Sequence, residues 1–318
     1  MALLEPTKSP TAWKATHENS DIGPTRFSAD GSAIAFGCFN GNIYVRSTKD
    51  SHLMYRIQAV RTESPITSIK WHLTIPGAII CSSASGFISC WHVETGQLLW
   101  EIHEENNCVN SIDESPDGTS FVSCGSNCNI NLYDLSTKQH KSTLSLKRYS
   151  QGRVSGHTSR VFSSIFSDNN NYVISSGWDD NVIIWDIRTS EAVRSFVGPH
   201  ICGESLALTG NTILTGSCRA EDQLQFWDFR SGKCMKSITI SEEGRSLLVY
   251  GLSLTPNKRY VAVCGGDLNC VSFFNMCDYS LRARTESFDA CVSSVHFSRD
   301  KYGFGLTNSI GYVDKMRF

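Results

Sequence analysis

The chain has 318 residues, of which 40% are hydrophobic and 19% charged, and its formal net charge is −2 at pH 7. This composition is typical of a soluble globular protein with enough apolar residues for a core. The near-neutral charge gives no general attraction to nucleic acid or to an anionic membrane surface, so we expect neither as a partner.

The N-terminal residues and the cysteines indicate a reducing compartment. The sequence MALLEPTKSP contains no basic segment followed by an apolar run, so we expect no signal peptide. The thirteen cysteines form no Cys-x-x-Cys pair and lie in short apolar runs, which is typical of buried free thiols. We therefore expect no metal site, no cofactor and a cytoplasmic location, with the nucleus as the alternative.

Short predicted strands recur in a fixed order along the chain. Alternating runs such as ITSIKWH, VNSIDES, VFSSIFS and VSSVHFS are each followed by a turn such as PDGT or DNNN. A second strand, a tight polar turn, a third strand that often ends in Trp-Asp and a closing strand complete each unit. Runs of this length and alternation between Gly, Asp and Asn turns predict antiparallel β-strands, and no long helix is predicted.

The ends of the third strands define a repeat of 39 to 52 residues, at Val45, Trp91, Tyr133, Trp185, Trp227, Phe274 and Val313. Seven units of this length predict seven four-stranded propeller blades in one domain. The expected blades are 21–58, 59–103, 104–146, 153–197, 198–240, 241–286 and 287–318. The last unit has only three predicted strands, so we expect segment 9–20 to add its outer strand and close the ring.

The fourth unit has Gly156-His157 at its start and Trp185-Asp186 at its end. With these motifs the chain resembles the WD-repeat β-propeller family over nearly its whole length. The resemblance implies an all-β, seven-bladed propeller of four-stranded antiparallel blades. It also implies a buried structural tetrad, formed by His157, Ser175, Asp179 and Trp185, in which the side chains hydrogen-bond to one another.

The second and third units depart from the family pattern. Ser85 and Asn127 stand where the fourth unit has Asp179. We expect these two blades to depend more on apolar packing.

No catalytic motif accompanies the repeat. The sequence contains no G-x-S-x-G, no G-x-x-x-x-G-K-[ST], no G-x-G-x-x-G and no H-E-x-x-H. We predict a non-catalytic protein-interaction scaffold, a monomer within a larger complex. An enzyme with a site assembled from loops is the alternative from another class.

Three residues are expected on one face of the propeller. In the family, the residue before the tetrad aspartate points to the narrower top face, and here that residue is Trp178. Arg160 begins the neighbouring inner strand, and Arg219 lies in a turn of the fifth unit. A large aromatic side chain beside arginines is typical of a protein-binding hot spot.

Charges are segregated along the chain. Residues 71–137 contain no Lys or Arg, whereas residues 138–167 contain no Asp or Glu. Lys147, Arg148 and Arg153 lie in the second stretch, before Arg160. We expect this side to bind an acidic or phosphorylated protein segment, because local potential attracts such ligands.

Two consecutive units end in WDIR and WDFR, which place Arg188 and Arg230 at matching positions. This pair resembles the adaptor-docking signature of WD-repeat substrate receptors of cullin–RING ubiquitin ligases. A substrate receptor of this kind is therefore the alternative function within the binding class.

Overall fold

The computed structural model describes residues 7–8, 13–14, 20–148, 154–298, 303–308 and 312–317. Every regular element in these residues is a β-strand. The first third of the chain contributes β1 (Thr7–Lys8), β2 (Trp13–Lys14), β3 (Ile22–Phe27), β4 (Ala33–Cys38), β5 (Asn42–Ser47), β6 (Leu53–Gln58), β7 (Ile66–Trp71), β8 (Ala78–Ser83), β9 (Phe87–His92) and β10 (Gln97–His103).

The middle of the chain continues the same pattern. It contributes β11 (Val109–Glu114), β12 (Ser120–Gly125), β13 (Ile130–Asp134), β14 (His140–Leu144), β15 (Lys147–Arg148), β16 (Val154–Ser155), β17 (Val161–Phe166), β18 (Tyr172–Gly177), β19 (Asn181–Asp186), β20 (Glu191–Val197), β21 (Leu206–Thr209), β22 (Thr212–Gly216), β23 (Leu224–Asp228) and β24 (Cys234–Ile238).

The last strands are β25 (Ser241–Glu242), β26 (Arg245–Leu254), β27 (Tyr260–Asp267), β28 (Val271–Asn275), β29 (Leu281–Arg284), β30 (Val292–Phe297), β31 (Gly303–Asn308) and β32 (Tyr312–Arg317). Consecutive strands pair into antiparallel sheets, namely β3–β6, β7–β10, β11–β14, β17–β20, β21–β24, β25–β29 and β30–β32. The protein is thus an all-β propeller of four-stranded antiparallel blades.

The turn between the first and second strands of a blade repeats in sequence and geometry. Ser28 donates its hydroxyl to Asp30 at 2.6 Å, and Ser115 donates to Asp117 at the same distance. The residue after each aspartate is a glycine with positive φ, 73° at Gly31 and 68° at Gly118. An aspartate that caps its own turn, followed by a glycine that accepts a left-handed backbone, makes a tight reversal of the chain.

The hydrophobic core lies between neighbouring sheets. Val122 and Leu132 of one sheet pack with Val173, Ile183 and Trp185 of the next. All six residues of β4, of β8 and of β12 are buried, because each of these strands is covered on both faces. The outer strand β20 alternates between exposed and half-buried residues, as expected for a strand at the rim.

One inner strand of each sheet lies next to a central channel. In the described residues β3 contacts β7, β7 contacts β11, β11 contacts β17, β17 contacts β21, β21 contacts β26, β26 contacts β30, and β30 contacts β3. The channel that these strands line encloses about 440 Å³.

The pairing of the N-terminal segment and the connection between the third and fourth blades both relate to features of the sequence described above. Residues 9–12 and 15–19 of the expected N-terminal strand lie outside the described residues, whereas β1 and β2 both pair antiparallel with β32. Between the third and fourth blades, β15 pairs with β16 to form a short hairpin. Residues 149–153 at its tip lie outside the described residues.

Candidate functional site

The fourth blade brings His157, Ser175, Asp179 and Trp185 into one hydrogen-bonded chain. His157 Nδ1 lies 2.9 Å from an Asp179 carboxylate oxygen, and His157 Nε2 lies 2.7 Å from Ser175 Oγ. The Trp185 indole N–H donates to the same hydroxyl at 2.8 Å. A neutral imidazole satisfies all three contacts when its Nδ1–H donates to Asp179 and the Ser175 O–H donates to its Nε2.

These four side chains are shielded from solvent. Ser175 is 0% exposed and Trp185 is 1% exposed. Burial acts to raise the pKa of Asp179, but the hydrogen bond and charge of His157 and the backbone N–H groups of Thr158 and Asn181 outweigh it and hold that pKa below its ordinary value. The serine, histidine and aspartate are connected as in a hydrolase triad, but here the serine hydroxyl is buried and also accepts the Trp185 indole N–H.

The third blade contains a polar network that the sequence reasoning missed. The buried carboxylate of Glu104 accepts hydrogen bonds from Asn107 at 2.6 Å, Asn131 at 3.0 Å and Tyr133 at 2.7 Å, and also from Ser123. Our expectation of mainly apolar packing is therefore wrong for this blade. The signal available was an acidic residue in the connection before β11, where the fourth blade has Gly156-His157.

Trp178 lies in the turn between β18 and β19, and its side chain is exposed at 42%. Its ring stacks on Phe162 with centroids 5.2 Å apart and on His200 with centroids 6.1 Å apart. The Arg160 guanidinium lies over the same ring, 5.4 Å from its centroid. We call these four residues, with Asp180 and Arg219, the Trp178 platform.

Asp180 connects the two sides of the Trp178 platform. It contacts His200 Nδ1 at 2.8 Å and Arg219 Nη2 at 2.7 Å. The structure thus brings together Trp178, Arg160 and Arg219, three residues that the sequence predicted on one face. Phe162, His200 and Asp180 were not predicted as neighbours: Phe162 and Asp180 belong to the fourth blade, and His200 reaches them from the connection to the fifth blade.

Lys147 lies away from the Trp178 platform. Its Nζ donates to the Ser190 carbonyl at 3.0 Å and lies 3.9 Å from Glu191. Ser190 lies in the turn between β19 and β20 and Glu191 begins β20, at the opposite end of the sheet from Trp178. Lys147 therefore does not share the face of Trp178, which corrects the expected continuity between this basic stretch and Arg160. The Arg148 side chain and the whole of Arg153 lie outside the described residues.

Arg188 and Arg230 are both exposed, at the turns that follow β19 and β23. The Arg188 side chain is 81% exposed and lies 3.8 Å from Asp186. Both turns are at the end of the blades opposite Trp178. The role of these arginines in adaptor docking stays a prediction.

The central channel is lined by paired charges. Arg26 forms an ion pair with Glu204, which also accepts the Ser68 hydroxyl at 2.5 Å. Lys70 pairs with Asp113 at 3.0 Å. Burial acts to raise the pKa of Glu204, but Arg26 and Lys70 hold it below its ordinary value. Arg26 of β3 thus pairs with Glu204 in the connection before β21, and Lys70 of β7 pairs with Asp113 of the neighbouring inner strand β11.

The described residues show neither a metal-binding cluster nor a membrane-spanning helix. They contain no cluster of three or more His, Cys, Asp or Glu side chains suited to a metal ion. They also contain no helix with the length and apolar character needed to cross a bilayer.

Comparison with known proteins finds the repeat and several repeat-containing relatives. The sequence profile of the WD domain, G-beta repeat, matches residues 96–134 and 148–186. The CCR4-associated factor 4 homolog of Candida glabrata is 31% identical over 150 residues, which are 43% of this chain and 24% of that protein. Autophagy-related protein 16 of Arabidopsis thaliana is 22% identical over 226 residues, which are 70% of this chain and 41% of that protein.

The guanine nucleotide-binding protein subunit beta of Saccharomyces cerevisiae is 26% identical over 214 residues, which are 62% of this chain and 46% of that protein. The chain spans less than half the length of each of these relatives. The repeating sheets, the hydrogen-bonded tetrad of the fourth blade and the matching repeats together show that this chain belongs to the WD-repeat β-propeller family.

Proposed function

We propose that the protein is a non-catalytic scaffold that binds other proteins. The triad-like chain of Ser175, His157 and Asp179 supports this proposal, because its serine is buried and its hydroxyl is held by Trp185. Relatives such as the G-protein beta subunit are named as subunits of assemblies, which is consistent with a scaffold. A cytoplasmic or nuclear location belongs to the same proposal.

The scaffold is proposed to be a closed ring of seven blades. The unbroken series of contacts between inner strands, from β3 through β30 and back to β3, supports closure. The pairing of β1 and β2 with β32 supports an N-terminal outer strand in the last blade. The blade limits expected from the sequence remain part of this proposal, because nothing in the connections between sheets marks where one blade ends and the next begins.

The Trp178 platform is the proposed docking site. The single observation that carries it is a tryptophan ring that is 42% exposed although it stacks on Phe162 and lies under Arg160. A large aromatic side chain held rigid by its neighbours loses little conformational entropy when a partner covers it. Exposed tryptophan on a rigid turn is therefore a suitable anchor for a bound segment.

The proposed partner is an acidic or phosphorylated segment of another protein. The Trp178 platform carries two arginines, Arg160 and Arg219, against one aspartate, Asp180. A guanidinium binds a carboxylate or a phosphate through two parallel hydrogen bonds. Asp180 already engages Arg219, so Arg160 is the arginine that we expect to meet the acidic group, with Trp178 packing against the neighbouring apolar side chain.

The test compares binding of acidic peptides, with and without a phosphoryl group, by the full chain and its variants. Trp178→Ala and Arg160→Glu should each weaken binding about tenfold or more, since each removes a central contact. The loss caused by Arg160→Glu should shrink as salt is raised, because screening shortens the range of the charge.

The matched controls lie at the opposite end of the blades. Leu73→Ala removes another exposed apolar side chain, and Arg188→Glu reverses another exposed arginine. Both should bind like the wild type. Equal affinity of all five proteins, or loss of binding only in the Arg188 variant, would contradict the proposed docking site.

A further inference from the structure

His200 lies in the connection between β20 and β21, where its backbone is fixed to two blades. Its N–H donates to the Ser217 hydroxyl at 3.1 Å, and its carbonyl accepts the Cys218 N–H at 2.9 Å, both in the turn that follows β22. The next residue, Ile201, donates its N–H to the Gly177 carbonyl of β18 at 3.2 Å. The imidazole is therefore held in place within the Trp178 platform.

Asp180 fixes which nitrogen of this imidazole carries the proton of the neutral ring. His200 Nδ1 lies 2.8 Å from an Asp180 carboxylate oxygen, and a carboxylate only accepts hydrogen bonds. The neutral ring therefore carries its proton on Nδ1 and a lone pair on Nε2. His200 Nε2 has no hydrogen-bond partner among the described residues, and the side chain is 35% exposed. Nε2 is thus the nitrogen available to a ligand, and it can donate to an anion only after it gains a proton.

The charges around the imidazole give the Trp178 platform one net positive charge while His200 is neutral. Asp180 carries the negative charge, and it contacts both His200 and Arg219, the latter at 2.7 Å. Arg160 lies over the same Trp178 ring on which His200 stacks. The titratable or charged side chains on the elements packed against His200 are those of Asp180, Arg219, Arg160, Cys202 and Cys218. A proton on Nε2 raises the net charge of the platform to two and turns Nε2 into a donor.

We propose that His200 is a second anion-binding group of the Trp178 platform beside Arg160, so that an acidic segment binds together with a proton. This role rests on the proposed docking role of the platform and adds to it a dependence on pH. The proton binds Nε2, and the new N–H donates to a carboxylate of the segment near the Arg160 guanidinium. Binding and protonation favour each other by the same factor, because the two equilibria are linked. Histidine side chains change charge between pH 5 and 8, so the affinity rises as the pH falls from 8 to 6.

The experiment is isothermal titration calorimetry of the full chain with a peptide of one leucine and three glutamates, acetylated and amidated at its ends, at several pH values from 8 to 6. The glutamates stay ionised throughout, since their ordinary pKa is about 4.3. A phosphorylated probe is less suitable for this purpose because its second ionisation lies at about pH 6. The dissociation constant should fall about threefold over this range, as expected for one exposed ion pair. Titrations in buffers of different ionisation enthalpy should show uptake of a proton on binding.

Two variants identify the group that takes up the proton. His200→Asn keeps an N–H group for Asp180 but cannot gain a charge, so its dissociation constant should be the same at pH 8 and pH 6 and proton uptake should disappear. His140→Asn is the matched control at an exposed position in β14 and should keep the wild-type dependence on pH. The same peptide with glutamine in place of glutamate should bind the wild type without proton uptake, because it brings no anion to stabilise the charged ring.

The role of His200 and the docking role of the platform fail in different ways. Binding that requires Trp178 and Arg160 but takes up no proton in the wild type overturns the role of His200 and leaves the docking site intact. Proton uptake that persists in His200→Asn does the same. The wild-type titration decides the first outcome even where His200→Asn does not fold. Absence of binding at every pH, with acidic and phosphorylated peptides alike, overturns both proposals.

Discussion

At the scale of single residues, His157 shows how a buried polar side chain is kept satisfied. Each of its ring nitrogens has a partner within 3.0 Å, and its side chain is 0% exposed. Removing the ring leaves Asp179 and Ser175 without those partners in a place that water does not reach. The cost of an unpaired buried group is larger than the gain from making the hydrogen bond.

We therefore expect His157→Ala and Asp179→Ala each to lower the free energy of unfolding by about 1–3 kcal/mol. Because the folded-state pKa of Asp179 is lowered, its contribution is present above the ordinary value and is lost as the pH falls through the folded value. Urea denaturation at pH 7 and at a pH well below 3.8 measures both effects.

The exposed residues His140 and Asp168 provide matched controls for these two substitutions. His140→Ala and Asp168→Ala should change the free energy of unfolding by no more than about 0.5 kcal/mol. Wild-type stability in the His157 or Asp179 variant, together with loss of a measured activity, would mean that the tetrad is not structural.

At the scale of elements, the contact between the second and third blades contains a buried titratable pair. His72, after β7, lies 3.4 Å from Glu114 at the end of β11, and both side chains are at most 5% exposed. The Thr74 N–H donates to His72 Nδ1 at 3.2 Å, so the ring proton is on Nε2. Neither His72 Nε2 nor Glu114 Oε1 has a hydrogen-bond partner among the described residues.

Burial raises the pKa of Glu114 to about 7, with a smaller contribution from Asp113, while Lys70 and Lys138 act in the opposite direction. The folded protein therefore binds this proton more tightly than the unfolded chain. The stabilising contribution of the carboxyl group is complete below its ordinary value and is lost as the pH rises toward 7. Burial also lowers the pKa of His72, which reduces stability as the pH falls below 6.5.

The free energy of unfolding of Glu114→Gln, relative to that of the wild type, should consequently increase by up to about 3 kcal/mol as the pH rises from 5 to 8. The amide stays neutral, whereas the carboxyl group must ionise in a buried place. Melting temperatures at several pH values measure the difference. Glu105→Gln, at an exposed position nearby, is the control and should give a difference that does not change with pH. A constant difference for the Glu114 variant would contradict the argument.

At the scale of the whole molecule, the proposed ring depends on pairing between the two ends of the chain. Thr7 and Lys8 pair with Arg317 and Met316, and Trp13 pairs with Val313. Without these strands β32 becomes an open sheet edge, and the contact between the last and first blades has less to hold it.

Deleting residues 1–20 should therefore lower the melting temperature by several degrees or cause aggregation, because an unpaired edge strand invites pairing with other chains. Calorimetry and light scattering of the truncated and full chains test this. Deleting only residues 1–6, which precede β1, is the matched control and should leave melting unchanged. A chain without residues 1–20 that melts like the full chain and stays monomeric would contradict ring closure by the N-terminal segment.

The repeating strands, the turns and the tetrad of the fourth blade could be predicted from the sequence, because each is a local pattern. Alternation within a strand, an aspartate before a glycine and the spacing of His157, Asp179 and Trp185 are all visible in the order of residues. These features are repeated along the chain, so the strands of one clear unit allow the strands of the diverged units to be assigned.

Only the tertiary structure decided which side chains meet between strands and between blades. Glu104 has hydrogen bonds from Asn131 and Tyr133 only because the strands of the third blade bring these side chains to it. Lys147 likewise turns toward Ser190 rather than Trp178. Such contacts depend on close packing in the folded protein, because the available space limits which rotamers and loop conformations fit. The strand pattern therefore follows from the sequence alone, whereas the chemistry between blades follows from how the sheets pack.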